Sequence, residues 1–151
     1  MKDFQCTINI NAKPKKVYEA IAEQQGLKNW WTTDCDVEPK EDSISTFRFD
    51  ETYTIMKVEK LIPSAQVQWR CIDHHHVDDL LKRANEWIGT HLTFKIKDND
   101  NGGTELNFTH QGLNKSLECY DICEERWGHF LRKSLKSYLE TGQGDPYQSQ
   151  R

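Results

Sequence analysis

The chain has 151 residues, a net charge of −4 and an isoelectric point near 5.9. That length fits one domain able to bury roughly 70% of its unfolded surface without a disulfide or metal staple. Lys and Arg are scattered rather than striped, which argues against a nucleic-acid partner, and no run of about 18 apolar residues could insert in a membrane.

The apolar fraction is 36%, but it contains five Trp, five Tyr and six Phe. Each aromatic ring buries about 150–250 Å², so a few of them can build a core or line a pocket. The first residues, Met1 to Cys6, carry no apolar segment after Lys2 and do not read as a secretory signal. Five widely spaced cysteines, an odd number, read as reduced thiols in a cytoplasmic protein. In that setting the sequons at Asn107 and Asn114 are chance matches.

Phe4, Cys6, Ile8 and Ile10 alternate with polar residues, the pattern of a half-buried strand. Pro14 then sits well in the first turn of a helix whose apolar positions are Val17, Tyr18, Ile21 and Ala22, and Gly26 is expected to stop it. Leu27, Trp30 and Trp31 suggest a second, short helix. From Thr33 to Gln111 period two dominates. Strands are expected over Ser45–Phe49, Tyr53–Leu61, Ala65–Asp73, Glu86–Lys97 and Thr104–Gln111, with turns at Asp50-Glu51, at Pro63-Ser64 and over Asp98–Gly103. Short turns make successive strands antiparallel neighbours. The period then changes. Tyr120, Cys123, Trp127, Phe130, Leu131, Ser134, Leu135 and Tyr138 recur three and four apart, marking a long amphipathic helix from about Lys115 to Thr141. Gly142 and Gly144 end it, and residues 145–151 read as a loose tail after one domain over 1–144. The order describes an α+β domain, with a curved antiparallel sheet of about six or seven strands wrapped on a C-terminal helix.

Three segments carry a resemblance. They are Ile10–Ile21, Trp30-Trp31 and Gly103–Leu113, joined by Trp127-Gly128-His129-Phe130-Leu131 with Leu135, Tyr138, Leu139 and Gly142. They resemble the START-like (SRPBCC) superfamily, and within it proteins related to the activator of the heat-shock-protein-90 ATPase. The similarity runs from about residue 4 to 144. It implies the helix-grip fold, with a cavity between sheet and helix. It does not choose a function, because the superfamily includes lipid carriers, cyclases, hormone receptors and co-chaperone domains. One departure is the stretch His74–Arg83, which lengthens the connection between two strands.

Few residues suggest chemistry. His74, His75 and His76 invite a metal, but adjacent strand residues point to opposite faces and no spacing motif supplies a further ligand; an exposed polar loop is the plainer expectation. Cys119 and Cys123 lie four apart and read as small core thiols rather than a redox pair. His110 shares a face with Leu106 and Phe108 and is the one candidate for proton transfer. Arg48 and Arg70 are expected outward and solvated. Glu86 is an acid with no evident partner. No nucleophile elbow, phosphate loop or cofactor motif is present, and no cofactor is expected.

The expected ligand-binding lining is Phe47, Phe49, Trp69, Thr90, Leu92, His110, Cys123, Trp127 and Leu131. The expected function is binding of an apolar small molecule or lipid. Two alternatives stand beside it. One is a co-chaperone-like protein-interaction domain, monomer or homodimer. The other is a cyclase- or hydrolase-type enzyme using His110.

Overall fold

The computed structural model describes residues 2–150. Seven strands form one antiparallel sheet, β1 (Phe4–Ile10), β2 (Asp34–Asp36), β3 (Ile44–Phe49), β4 (Thr52–Ile62), β5 (Gln66–His75), β6 (His91–Asp98) and β7 (Thr104–Gln111). Their spatial order is β1-β7-β6-β5-β4-β3-β2. Only β1 leaves its sequence neighbour, because α1 (Pro14–Ala22) and α2 (Gln24–Trp30) intervene before β2. The chain closes on one helical rod made of α3 (Tyr120–Trp127), the π-helical α4 (Gly128–Leu135) and α5 (Lys136–Thr141). This is the START-like helix-grip fold, with the rod held against the concave face of the sheet.

Turn chemistry sets the hairpins. Asp50 takes φ 58°, the left-handed region that a two-residue hairpin loop needs, and Phe49 pairs with Thr52 across it. Asn99 accepts hydrogen bonds from the backbone N–H groups of Asn101 and Gly103 and shapes the next hairpin. Two register shifts between β4 and β5 add curvature. One of them matters for the site. Cys71 pairs with Met56 but Asp73 pairs with Ile55, so Ile72 is an extra residue in β5.

Several expectations need correction. Gly26 does not end α1, which stops at Ala22; it lies buried inside α2, where a Cβ would stand 2.5 Å from Ala20 Cα. Glycine is needed there because two helices touch backbone to backbone. Residues 86–90 are not strand; β6 begins at His91, and Gly89 at φ 87° turns the chain, leaving Ile88 exposed. The C-terminal helix begins at Tyr120 rather than near Lys115, after a turn in which Asn114 Oδ1 accepts the Ser116 N–H. Gly142, at φ 86°, does end the rod, its N–H bonded to the Tyr138 carbonyl. The tail is tied down rather than loose. Tyr147 bridges to Thr32 as a parallel pair, and its hydroxyl donates to Asp50 at 2.6 Å. Buried Ser134 joins the rod to both neighbours, donating to the Trp30 carbonyl and accepting the Asp145 N–H.

Candidate functional site

The interior between sheet and rod is largely filled by rings. Trp69, Trp31, Trp127, Trp87 and His74 follow one another as a stack, with centroid separations of 5.8, 5.4, 5.8 and 4.7 Å and interplanar angles of 6°, 28°, 6° and 16°. Each near-parallel contact of this kind adds about 0.5–1.5 kcal/mol beyond its area. Phe47, Phe94 and Phe108 pack against the stack.

A cavity of about 190 Å³ remains at one end of this interface. Its aromatic wall is Trp31, Phe49, Trp87, Trp127 and Phe130. Its polar wall comes from Thr52 and Thr54 of β4, His74 of β5, His76 and Asp78 of the following loop, and Arg126 of α3. Tyr147 closes one side from the tail. Of the expected lining, the cavity has Phe49, Cys123 and Trp127. Phe47, Trp69, Leu92, His110 and Leu131 lie instead in the packed core, each at most 2% exposed, and Thr90 is buried beside His110. Phe47 and Trp69 thus fill the interior, while Phe49 and Trp127 reach the cavity.

The histidines are reversed from expectation. His74 is not in an exposed loop; it is 5% exposed, stacked on Trp87 and lines the cavity with His76. The cause is Ile72. Inward positions run Val67, Trp69, Cys71, and the extra residue shifts the phase so that His74, opposite inward Thr54, follows. His75 lands on the outer face against Tyr53. No group of three or more His, Cys, Asp or Glu among the described residues is arranged to hold a metal.

His110 has both ring nitrogens engaged. The Trp127 indole N–H donates to Nδ1 at 3.2 Å, so Nε2 carries the proton and donates to Thr90 Oγ1 at 2.9 Å. The Thr90 hydroxyl in turn donates to the Trp87 carbonyl at 2.6 Å. Burial pushes the His110 pKa down to about 3, helped by the charge His74 would carry. His110 is a neutral structural link from sheet to rod, away from the cavity. His74 is also held neutral. Burial lowers it to about 3, with smaller contributions from His76 and His75, and its Nδ1 accepts the Trp87 backbone N–H at 3.4 Å. His76 is shifted down too, chiefly by burial and further by Arg126, against Asp78 and Glu86.

The remaining candidates find structural roles. Glu86 is no isolated acid; its carboxylate accepts the N–H groups of Glu118 and Cys119 where α3 begins. Glu118 reaches back to the N–H groups of Lys82 and Arg83, fastening the loop after β5 to the rod. The Cys119 and Cys123 thiols hydrogen-bond to each other, lowering the pKa of Cys119 and raising that of Cys123, which burial raises further. Burial keeps Cys35 and Cys71 protonated, at about 11 and about 12. Arg48 is not merely solvated; it bonds Asp34 at 3.1 Å and Asp36 at 2.8 Å. Arg70 is half-buried, its Nε without a hydrogen-bond partner among the described residues.

Residues 11–140 match the family described as Activator of Hsp90 ATPase homolog 1-like protein. The chain belongs to that family. The structure is similar to the solution structure of the Aha1 dimer from Colwellia psychrerythraea, at 32% identity and TM-score 0.78, covering 95% of this chain and all (100%) of that one. A Staphylococcus saprophyticus protein matches at 16% identity and TM-score 0.73, covering 95% of this chain and 96% of its own. A Mesorhizobium loti protein matches at 17% identity and TM-score 0.75, covering 91% and 96%. The last two share the fold alone. No curated protein matches the chain. No helix among the described residues is long and apolar enough to cross a membrane.

Proposed function

We propose that this member of the Activator of Hsp90 ATPase homolog 1-like family acts as one START-like domain over residues 1–144 and binds a small apolar molecule in the cavity beside Trp87 and Trp127. The observation that carries this reading is the wall itself, five aromatic side chains with a few convergent polar groups, the composition of small-molecule sites. A cavity of about 190 Å³ lies below the roughly 300–1,000 Å³ of sites for drug-sized ligands, which favours a compact ring system over a lipid chain. Reduced thiols fit a cytoplasmic setting. The test is titration with 2-naphthol, read by tryptophan fluorescence. Saturable quenching is expected, and Phe130→Arg, which fills the cavity from the rod, is expected to abolish it. Quenching that never saturates, or that survives Phe130→Arg, removes the reading.

A protein-interaction role is the second reading. The family description and the dimeric relative favour it. It requires a mass that changes with concentration in light scattering, or capture of an ATPase chaperone by the purified chain. A concentration-independent monomer that captures no chaperone counts against it. The enzyme alternative loses its residue, since His110 is outside the cavity with both nitrogens bonded.

A further inference from the structure

The polar wall of the cavity is unbalanced. His74 is 5% exposed, and its Nδ1 already accepts the Trp87 backbone N–H, so the proton sits on Nε2. Among the described residues that N–H has no acceptor, and the ring is part of the cavity wall. The N–H is not one of the polar atoms sealed from solvent without a partner, so it is open to an acceptor on a molecule in the cavity. Arg126 lines the same cavity, and no carboxylate among the described residues lies within ion-pair distance of it, although acids outnumber bases 24 to 20. A guanidinium fork can meet both oxygens of a carboxylate, as of a phosphate, in two parallel hydrogen bonds. His76 adds a neutral imidazole beside Arg126. Asp78 is the one carboxylate on the wall, and its Oδ1 is occupied by the Leu80 N–H at 2.9 Å. Its charge opposes a second negative group on the ligand.

The apolar wall sets the shape. Trp87 and Trp127 lie nearly parallel, 6° apart, within the ring stack, and with Trp31, Phe49 and Phe130 they give the cavity an aromatic wall. A volume of about 190 Å³ equals roughly six waters at about 30 Å³ each, the size of one ring or two fused rings with a short arm. Resting on the small-molecule reading above, we propose that the ligand is a planar aromatic monocarboxylate, its ring against the aromatic wall and its carboxylate held by Arg126 and the His74 N–H.

The experiment compares 2-naphthoate with its neutral isostere 2-naphthamide by calorimetry on the full chain. Three proteins are used, the parent, Arg126→Gln, and Arg132→Gln, a charge change in the groove beside β1, outside the cavity wall. In the parent, naphthoate is expected to bind at least tenfold more tightly than naphthamide. Arg126→Gln is expected to erase that preference. Arg132→Gln is expected to keep the preference. Equal affinity for the two probes in the parent overturns the carboxylate assignment and leaves the apolar site standing. A preference that survives Arg126→Gln, or that vanishes in Arg132→Gln, also overturns it. If neither probe binds and 2-naphthol does not bind either, the site itself is refuted.

Discussion

Thr90→Val isolates the link between sheet and rod. Valine keeps the shape of threonine, so no cavity opens, and only the Thr90 hydroxyl is lost. Its loss leaves the His110 Nε2–H buried and without an acceptor, at 0% exposure. The Trp87 carbonyl is not orphaned, because it also accepts the Thr90 N–H at 2.9 Å. One unsatisfied donor costs about 1–3 kcal/mol. With a urea slope of about 2 kcal/mol/M, the midpoint should fall by about 0.5–1.5 M at constant slope. Tryptophan fluorescence follows the transition. Thr93→Val, on the outer face between inward Leu92 and Phe94, serves as the control and should move stability by less than about 0.5 kcal/mol. A Thr90→Val midpoint equal to that of the parent would refute the relay, and so would a His110 resonance titrating near pH 6.5.

Two further outcomes are expected. His74 and His110 have pKa values near 3 when folded and about 6.5 when unfolded, so the unfolded chain binds more protons between those limits. Stability is therefore full above about pH 6.5 and falls with pH below it, by roughly 1.4 kcal/mol per unit for each histidine; His74→Gln should flatten the slope of unfolding free energy between pH 6 and 4, and an unchanged slope refutes the assignment. Gly26→Ala drives a Cβ to 2.5 Å from Ala20 Cα, an overpacking cost of about 1–3 kcal/mol that calorimetry should show as a fall in Tm of roughly 2–12 °C.

Much of the fold is legible along the chain because its signals are local. Alternation places Phe4, Cys6, Ile8 and Ile10 inward, and all four are buried. The change of period at the C-terminus marks a helix whose inner face is Cys123, Trp127, Phe130, Leu131 and Leu135. What resists reading depends on contacts between distant segments. Gly26 looks like a helix stop because no local pattern reveals that Ala20 lies against it. The packing of Phe47 and Trp69 into core rather than cavity depends on Trp31, just past the end of α2, reaching across to meet both. Glu86 looks idle because the N–H groups it accepts lie 32 and 33 residues away.

One further non-local feature hides the cavity along the chain, and it also gives the cavity its chemistry. Strict alternation along β5 puts Asp73 and His75 inward after Val67, Trp69 and Cys71. In that register a carboxylate and a histidine face the rod, and His74 and His76 face solvent. Ile72 inserts one residue opposite the Met56–Ile55 step, and every side chain after it changes face. Asp73 turns away and accepts the His74 N–H, while His74 swings onto Trp87. The wall thereby exchanges a buried carboxylate, which would repel an anion, for a neutral N–H donor that answers one. His74→Phe keeps the bulge and the ring stacked on Trp87 but removes the N–H donor. The preference for naphthoate over naphthamide should then fall even though Arg126, on a separate helix, is untouched. Retention of that preference would mean that the guanidinium alone selects the ligand and that the bulge merely bends the sheet.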